Sequence, residues 1–320
     1  MYSYKRAGVD VKKSDLLTET IKNTLKSENI GNFAGLYSHP FIPEYYLAGC
    51  TDGVGTKVIP LIERKMISTI AKDLIAMNLN DMICVGAKPL FFLDYFATNK
   101  LDLDITSEFI VALKQELYKY NCTLLGGETA ELSDLVASNH FDVAGFAVGI
   151  VKKENVLKRS NVQEGDIIVA LSSSGPHSNG FTLIRHLYKD GLLTENEFEK
   201  MLEPTHIYVN EIIELVDKEM IRACANITGG GIEGNLCRAV PDDLCAVVQI
   251  DKIPKNPIFE KLESLVGTEE AYNVFNMGVG MCVIADKTYV DAILKTLEKF
   301  NPFVFGEIVK NENGSNICLR

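Results

Sequence analysis

The chain has 320 residues, 47% of them hydrophobic, and a formal net charge of −11. That length suits about two domains with sizeable cores, and the acidic balance without a long Lys/Arg cluster argues against nucleic acid, since neutralising phosphates takes a basic face. No apolar run approaches the ~18 residues of a membrane-spanning helix, and MYSYKRAGVDVKKSD has no apolar leader core, so the expectation is a soluble cytoplasmic protein without membrane contact.

Residues 46–51 (YLAGCT) read as a strand ending at Asp52. A helix is predicted over 67–85, with Ile70, Leu74 and Met77 on one stripe and Gly86 and Pro89 as stop signals. Asp73, Met77 and Asp81 recur every four residues, so the two acids share a helix face. LFFLDYFA at 90–97 reads as a buried strand, 105–120 as an amphipathic helix, and 122–127 and 141–151 as strands. The charged stretch 152–166 marks a domain boundary, giving domains 1–152 and 153–320. Beyond it come strands at 167–171, 244–250, 278–285 and 303–309, and helices near 180–190, 206–218, 230–239 and 287–299. Helices and strands alternate without long parallel cores, so the fold class is α+β, two α/β domains instead of one doubly wound sheet. The eight cysteines form no C-x-x-C spacing and most sit in apolar runs, which predicts buried free thiols in a reducing compartment.

Four glycine-rich strings interrupt this series: TDGVGTK at 51–57, GGETAE at 126–131, SSGPHSNG at 173–180 and TGGG at 228–231. Glycine lets a backbone turn sharply and approach a ligand, while neighbouring acids, a lysine or a helix N-terminus can hold cations and phosphate. Together they point to a phosphate-rich ligand with a metal ion. Asp52 is a candidate metal ligand or an ordinary Asp-Gly turn. Lys57 would pair with phosphate, with Gly53, Gly55 and Thr56 close to it, although the string is not a Walker A loop. Asp81 lies among apolar helical residues, where an acid is costly unless paired or bound to a cation. Glu128, placed at another strand end, completes a possible Mg²⁺-ATP set with Asp52 and Asp81. His177 stands in a Gly- and Ser-rich turn that includes Asn179, which would leave its ring free of core packing to reach a ligand, and is a catalytic or ligand-contacting candidate. His186 and His206 read as surface or packing residues on helices. Gly229, Gly230 and Gly231 precede a helix that could receive a phosphate, or form a turn that packing demands.

Taken in order, Tyr4–Asp10, TDGVGTK, PLFFLDYFAT, LLGGETAE, FDVAGF, SSGPHSNG, ITGGG and FNMGVGM resemble the aminoimidazole ribonucleotide synthetase family, also called phosphoribosylformylglycinamidine cyclo-ligase. The resemblance implies an ATP-dependent ring closure of formylglycinamidine ribonucleotide in purine biosynthesis. It also implies a homodimer whose N-terminal domains share a β-barrel, followed by a sandwich-like C-terminal α/β domain. It assigns Asp52, Asp81 and Glu128 to the metal-bound triphosphate, and Lys22 and Lys57 to phosphate charge. His177 would assist phosphorylation or proton transfer. The family's glycine-rich lid is longer than the stretch 29–35 here. The alternatives are fold relatives that use ATP, selenophosphate synthetase and thiamine monophosphate kinase, or a nucleotide-binding scaffold without chemistry.

Overall fold

The structure, a computed structural model, describes residues 2–9, 13, 16, 17, 20, 21, 23, 24, 33–312 and 314–320. Lys22 and residues 29–32 of the expected lid lie outside the described residues.

The first half builds a five-stranded sheet from β1 (Gly35–Ser38), β2 (Tyr45–Gly53), β3 (Lys88–Thr98), β4 (Thr123–Glu131) and β5 (Phe141–Lys152), in the order β1-β2-β5-β3-β4. Only the β3–β4 pair is parallel. A parallel pair needs a crossover, which the helix Leu103–Tyr118 supplies. Asp102 starts that helix, its carboxylate accepting from the N–H groups of Asp104 and Ile105. Every second residue of β5, and of β3 from Phe92 on, is buried, among them Phe92, Phe96, Phe141, Val143 and Ala147, so one sheet face meets the helices. The other face exposes Phe146, Tyr95 and Leu125.

The second half forms a six-stranded sheet from β6 (Ile167–Ser172), β7 (Ala223–Asn226), β8 (Leu244–Val248), β9 (Val279–Ala285), β10 (Phe303–Lys310) and β11 (Ile317–Leu319), in the order β11-β8-β10-β6-β9-β7. β7, β8 and β9 are buried at every residue, because helices cover both faces. Val169, Leu171, Val283 and Ala285 join a core that continues into the helix Ile67–Ile83. Ile168, Ala170, Cys282 and Ile284 face a second core under Ile232 and Leu236. The two halves thus share one continuous apolar core, and the helix Ile67–Ile83 is buried on nearly every side between them.

Two mixed sheets with packed helices bear out the α+β expectation. The elements that were expected fall within a few residues of their spans, but the helices Val58–Glu63, Glu195–Met201, Pro257–Val266 and Thr268–Val274 were not expected. The strands β1, β7 and β11 were not anticipated, being only three or four residues long and too short to show a period. The helix expected from 206 begins at Val209, leaving His206 in the preceding connection. All eight cysteines are free and five are buried. No helix among the described residues is long and apolar enough to cross a membrane.

Candidate active site

A cleft of about 630 Å³ opens where the two halves meet, lined by Asp52, Gly53, Gly55 and Thr56 on one side and by Asn179 and Gly229 on the other. Three of the four glycine-rich strings therefore converge. Asp52 lies one residue before the end of β2, opposite Gly145 of β5. Its N–H donates to Asn78 Oδ1 at 3.0 Å and its carbonyl accepts from Asn78 Nδ2 at 3.2 Å, so one helix side chain satisfies the strand end as a neighbouring strand would. Gly145 makes that approach possible, because a Cβ there would lie 2.6 Å from Asn78 Nδ2 and 2.2 Å from Phe92.

Asp81 sits one turn beyond Asn78 and accepts from Asn226 Nδ2 of β7 at 2.8 Å. Burial pushes its carboxyl up to about 7, the Asn226 hydrogen bond opposes that, and the charge of Asp52 adds to it. Burial raises Asp52 as well, against the Gly53 N–H that it accepts at 2.7 Å. Two oxygen donors whose ionised forms are disfavoured by burial, and in Asp81 by its acidic neighbour too, fit a hard divalent cation that would favour those forms.

Glu128 does not join them. β4 runs on through the paired glycines to Glu131, so Glu128 is mid-strand, and it pairs with Tyr95 on the exposed face. Asp52 aligns through Gly145 and Asp94 with Gly127, three strands away, so Glu128, the next residue, falls on the other face. No group of three His, Cys, Asp or Glu residues that could hold a metal occurs among the described residues.

Lys57 also departs from expectation. It is 0% exposed, its Nζ lies 2.8 Å from Asp73 Oδ2 and donates to the Glu203 carbonyl at 2.8 Å, so it points between the halves and not into the cleft. His177 is likewise 1% exposed and absent from the cleft lining, contrary to a ring free to reach a ligand. Its Nε2 faces the Ser174 N–H at 3.3 Å, and its ring packs near His206 and Tyr208. Burial lowers its pKa well below the usual histidine value, with His206 and Lys57 adding to the effect, so the ring is neutral near pH 7. His186 is exposed on the helix Phe181–Lys189, outside this cleft.

Asn179 joins two strings, its Oδ1 accepting from the Gly229 N–H at 3.0 Å. Its Nδ2 is buried without a hydrogen-bond partner, leaving one amide donor for a ligand. Gly230 and Gly231 have left-handed φ angles of 93° and 65°, and a Cβ on Gly231 would lie 1.8 Å from the Tyr272 carbonyl oxygen. The left-handed backbone explains Gly230, and backbone and packing together explain Gly231, while Gly229 alone of the three lines the cleft. Sequence reasoning missed Asp142 and Thr182 in the lining. It also missed Asp94, raised to about 6 by burial, whose signal was a lone acid in an apolar strand.

The family model described as "AIR synthase related protein, N-terminal domain" matches residues 34–151, and its C-terminal counterpart matches residues 163–318. The chain is 36% identical to a phosphoribosylformylglycinamidine cyclo-ligase of Clostridium perfringens (strain 13 / Type A), covering 100% of both chains. It is 38% identical to the chloroplastic protein of the same name from Arabidopsis thaliana, over 98% of this chain and 82% of that one. Among solved structures it resembles a chain of the HypE-HypF complex (TM-score 0.72, 15% identity, 95% of each chain). It also resembles AaThiL complexed with AMPPCP and TMP (TM-score 0.68, 16% identity, 95% of this chain and 92% of that one). T. maritima PurL complexed with ADP aligns at TM-score 0.59 and 16% identity, over 89% of this chain and 43% of that one.

Proposed function

The chain belongs to the AIR synthase related family, and we propose that it is the ligase that closes the imidazole ring of formylglycinamidine ribonucleotide with ATP in purine biosynthesis. The observation that carries this reading is one cleft that gathers three glycine-rich strings around Asp52, whose charge reaches Asp81 just outside the lining, in a chain so similar to cyclo-ligases.

The chemistry needs an amide oxygen turned into a leaving group. The substrate's formyl oxygen attacks the γ-phosphorus of ATP and ADP leaves. A nitrogen of the same substrate then attacks the activated carbon, the C–O bond breaks, and phosphate departs as a proton is lost. Catalysis of phosphoryl transfer is mostly positioning and charge stabilisation. Asp52 and Asp81 would hold Mg²⁺, which when bound offsets triphosphate charge. Backbone at Gly53, Gly55 and Gly229 lets phosphates approach closely, and Asn179 Nδ2 offers an uncommitted donor. His177, neutral and enclosed, would act on the turn that carries Asn179 and not as an acid.

A homodimer paired through the first sheet fits its exposed face, where Phe146, Tyr95 and Leu125 are 44%, 42% and 62% accessible. Pairing there into a shared barrel would bring Glu128 to the subunit boundary. Light scattering should then give twice the chain mass at micromolar concentration, and monomer alone would remove the dimer from this reading.

The function is tested by incubating purified protein with Mg²⁺-ATP and formylglycinamidine ribonucleotide. ADP, phosphate and aminoimidazole ribonucleotide should appear in equal amounts. ATP turnover with thiamine monophosphate or selenide, and none with the formylglycinamidine substrate, would sink the assignment.

A further inference from the structure

The segment 203–206 is a strap held from both halves of the molecule. From the first half, Lys57 Nζ donates to the Glu203 carbonyl at 2.8 Å, and Asp73 Oδ1 accepts from the Thr205 N–H at 2.7 Å. Asn80 adds a third hold, its Nδ2 donating to the His206 carbonyl at 2.8 Å and its Oδ1 accepting from the Tyr208 N–H at 3.1 Å. From the second half, Ser174 Oγ donates to the Pro204 carbonyl at 2.7 Å, and Ser178 Oγ lies 3.2 Å from Thr205 Oγ1. Those two serines bracket His177 in the turn that presents Asn179 to the cleft. Lys57 and Asp73 themselves form a 2.8 Å ion pair with both side chains fully enclosed.

We propose that Lys57 and Asp73 are positioning residues: their buried pair fixes the strap, and the strap fixes the Ser174–Asn179 turn against the cleft. An enclosed lysine with two protein partners has no face left for a phosphate, so its service to the reaction runs through backbone geometry. The same pair anchors the first half's own loop, since Thr56, adjacent to Lys57, lines the cleft and meets Thr182 at 2.9 Å. A small misplacement of groups around a reacting centre lowers turnover strongly even where binding survives. The proposal rests on the ring-closing reading of this cleft.

Removing one partner strands a buried charge and endangers folding, so the decisive variants are doubles. Lys57→Met/Asp73→Leu removes both charges and the Thr205 acceptor while keeping apolar volume. Lys57→Met/Asp73→Asn keeps an acceptor for Thr205. Each is compared with wild type in ring-closure kinetics and in AMPPCP binding with Mg²⁺. The Leu variant should lose at least about tenfold in kcat, with nucleotide affinity within about threefold of wild type. The Asn variant should recover most of that loss. Wild-type kcat in the Leu variant would overturn the proposal in favour of a purely structural pair. A large loss of AMPPCP affinity in both variants, with kcat at saturation retained, would overturn it in favour of direct phosphate contact. Should both doubles fail to fold, a Ser174→Ala/Ser178→Ala variant, cut from the strap on the other side, replaces them, and wild-type kcat there overturns it too. Inactive wild-type protein would instead count against the ring-closing function.

Discussion

Two charged pairs join one stretch of chain, β2 and the turn after it, to one helix, and they differ in how the fold matches their charges. Asp52 and Asp81 are like charges from β2 and the helix Ile67–Ile83; burial disfavours the ionised form of both, the charge of Asp52 adds to this at Asp81, and in the proposed reading a cation offsets it. Lys57 and Asp73 are opposite charges from the turn after β2 and the same helix, closed against each other and away from the cleft. Asp73 and Asp81 even share a helix face, two turns apart. What separates them is the company each keeps across the interior: Lys57 and the strap for one, Asn226 and Asp52 for the other. A charged residue meets a ligand where the fold leaves it unmatched.

The sharpest way to break this contrast is to neutralise the acids. Asp52→Asn or Asp81→Asn keeps shape and removes the cation-holding charge, and each should cut kcat/KM by about 10²–10³-fold or more with the fold intact. Normal turnover at limiting Mg²⁺ in either variant would end the metal assignment. A smaller effect is expected at His177. His177→Asn should lower kcat by about tenfold, and since burial holds the ring's pKa well below the usual histidine value, kcat/KM of wild type should show no limb at that usual value. A limb near 6.5 that vanishes in the variant would restore a proton-transfer role.

The acid pair also predicts a stability signature. Asp81 titrates near 7 in the folded protein and near 4 when unfolded, so the native state binds more protons between those values. Stability without Mg²⁺ should therefore fall as pH rises from about 4 to 7, and the Tm of Asp81→Asn should fall less over that window. Equal slopes would mean that the carboxyl is not held up by burial. The smallest expected effect is His186→Asn, whose exposed ring lies outside the cleft, with activity within about twofold of wild type.

The sequence made the acid pair legible for physical reasons that failed elsewhere. Asp52 stands at a glycine-flanked strand end, and Asp81 is an acid in an apolar helix; both signals are local. Lys57 carried the same local signal, but its partner is 16 positions away on a packed helix, which no spacing rule reveals. Glu128 was misplaced because two glycines read as a strand end, whereas β4 continues through them with Gly127 pressed against Asp94. His177 was misread because glycines around a residue were taken to mean room. Gly280 shows the opposite: a Cβ there would lie 2.8 Å from the His177 ring and 1.9 Å from the Tyr208 hydroxyl, so glycine marks tight packing. The α+β class and most long elements were readable from periodicity; the helix Pro257–Val266 and the joining of three strings in one cleft were not.

The most direct test of the account is a crystal structure of the protein with AMPPCP and Mg²⁺. The triphosphate should lie in the cleft between the halves, with the metal coordinated by Asp52 and Asp81 and Lys57 still paired with Asp73. A nucleotide bound elsewhere, or phosphates contacted by Lys57 with neither acid on the metal, would contradict it.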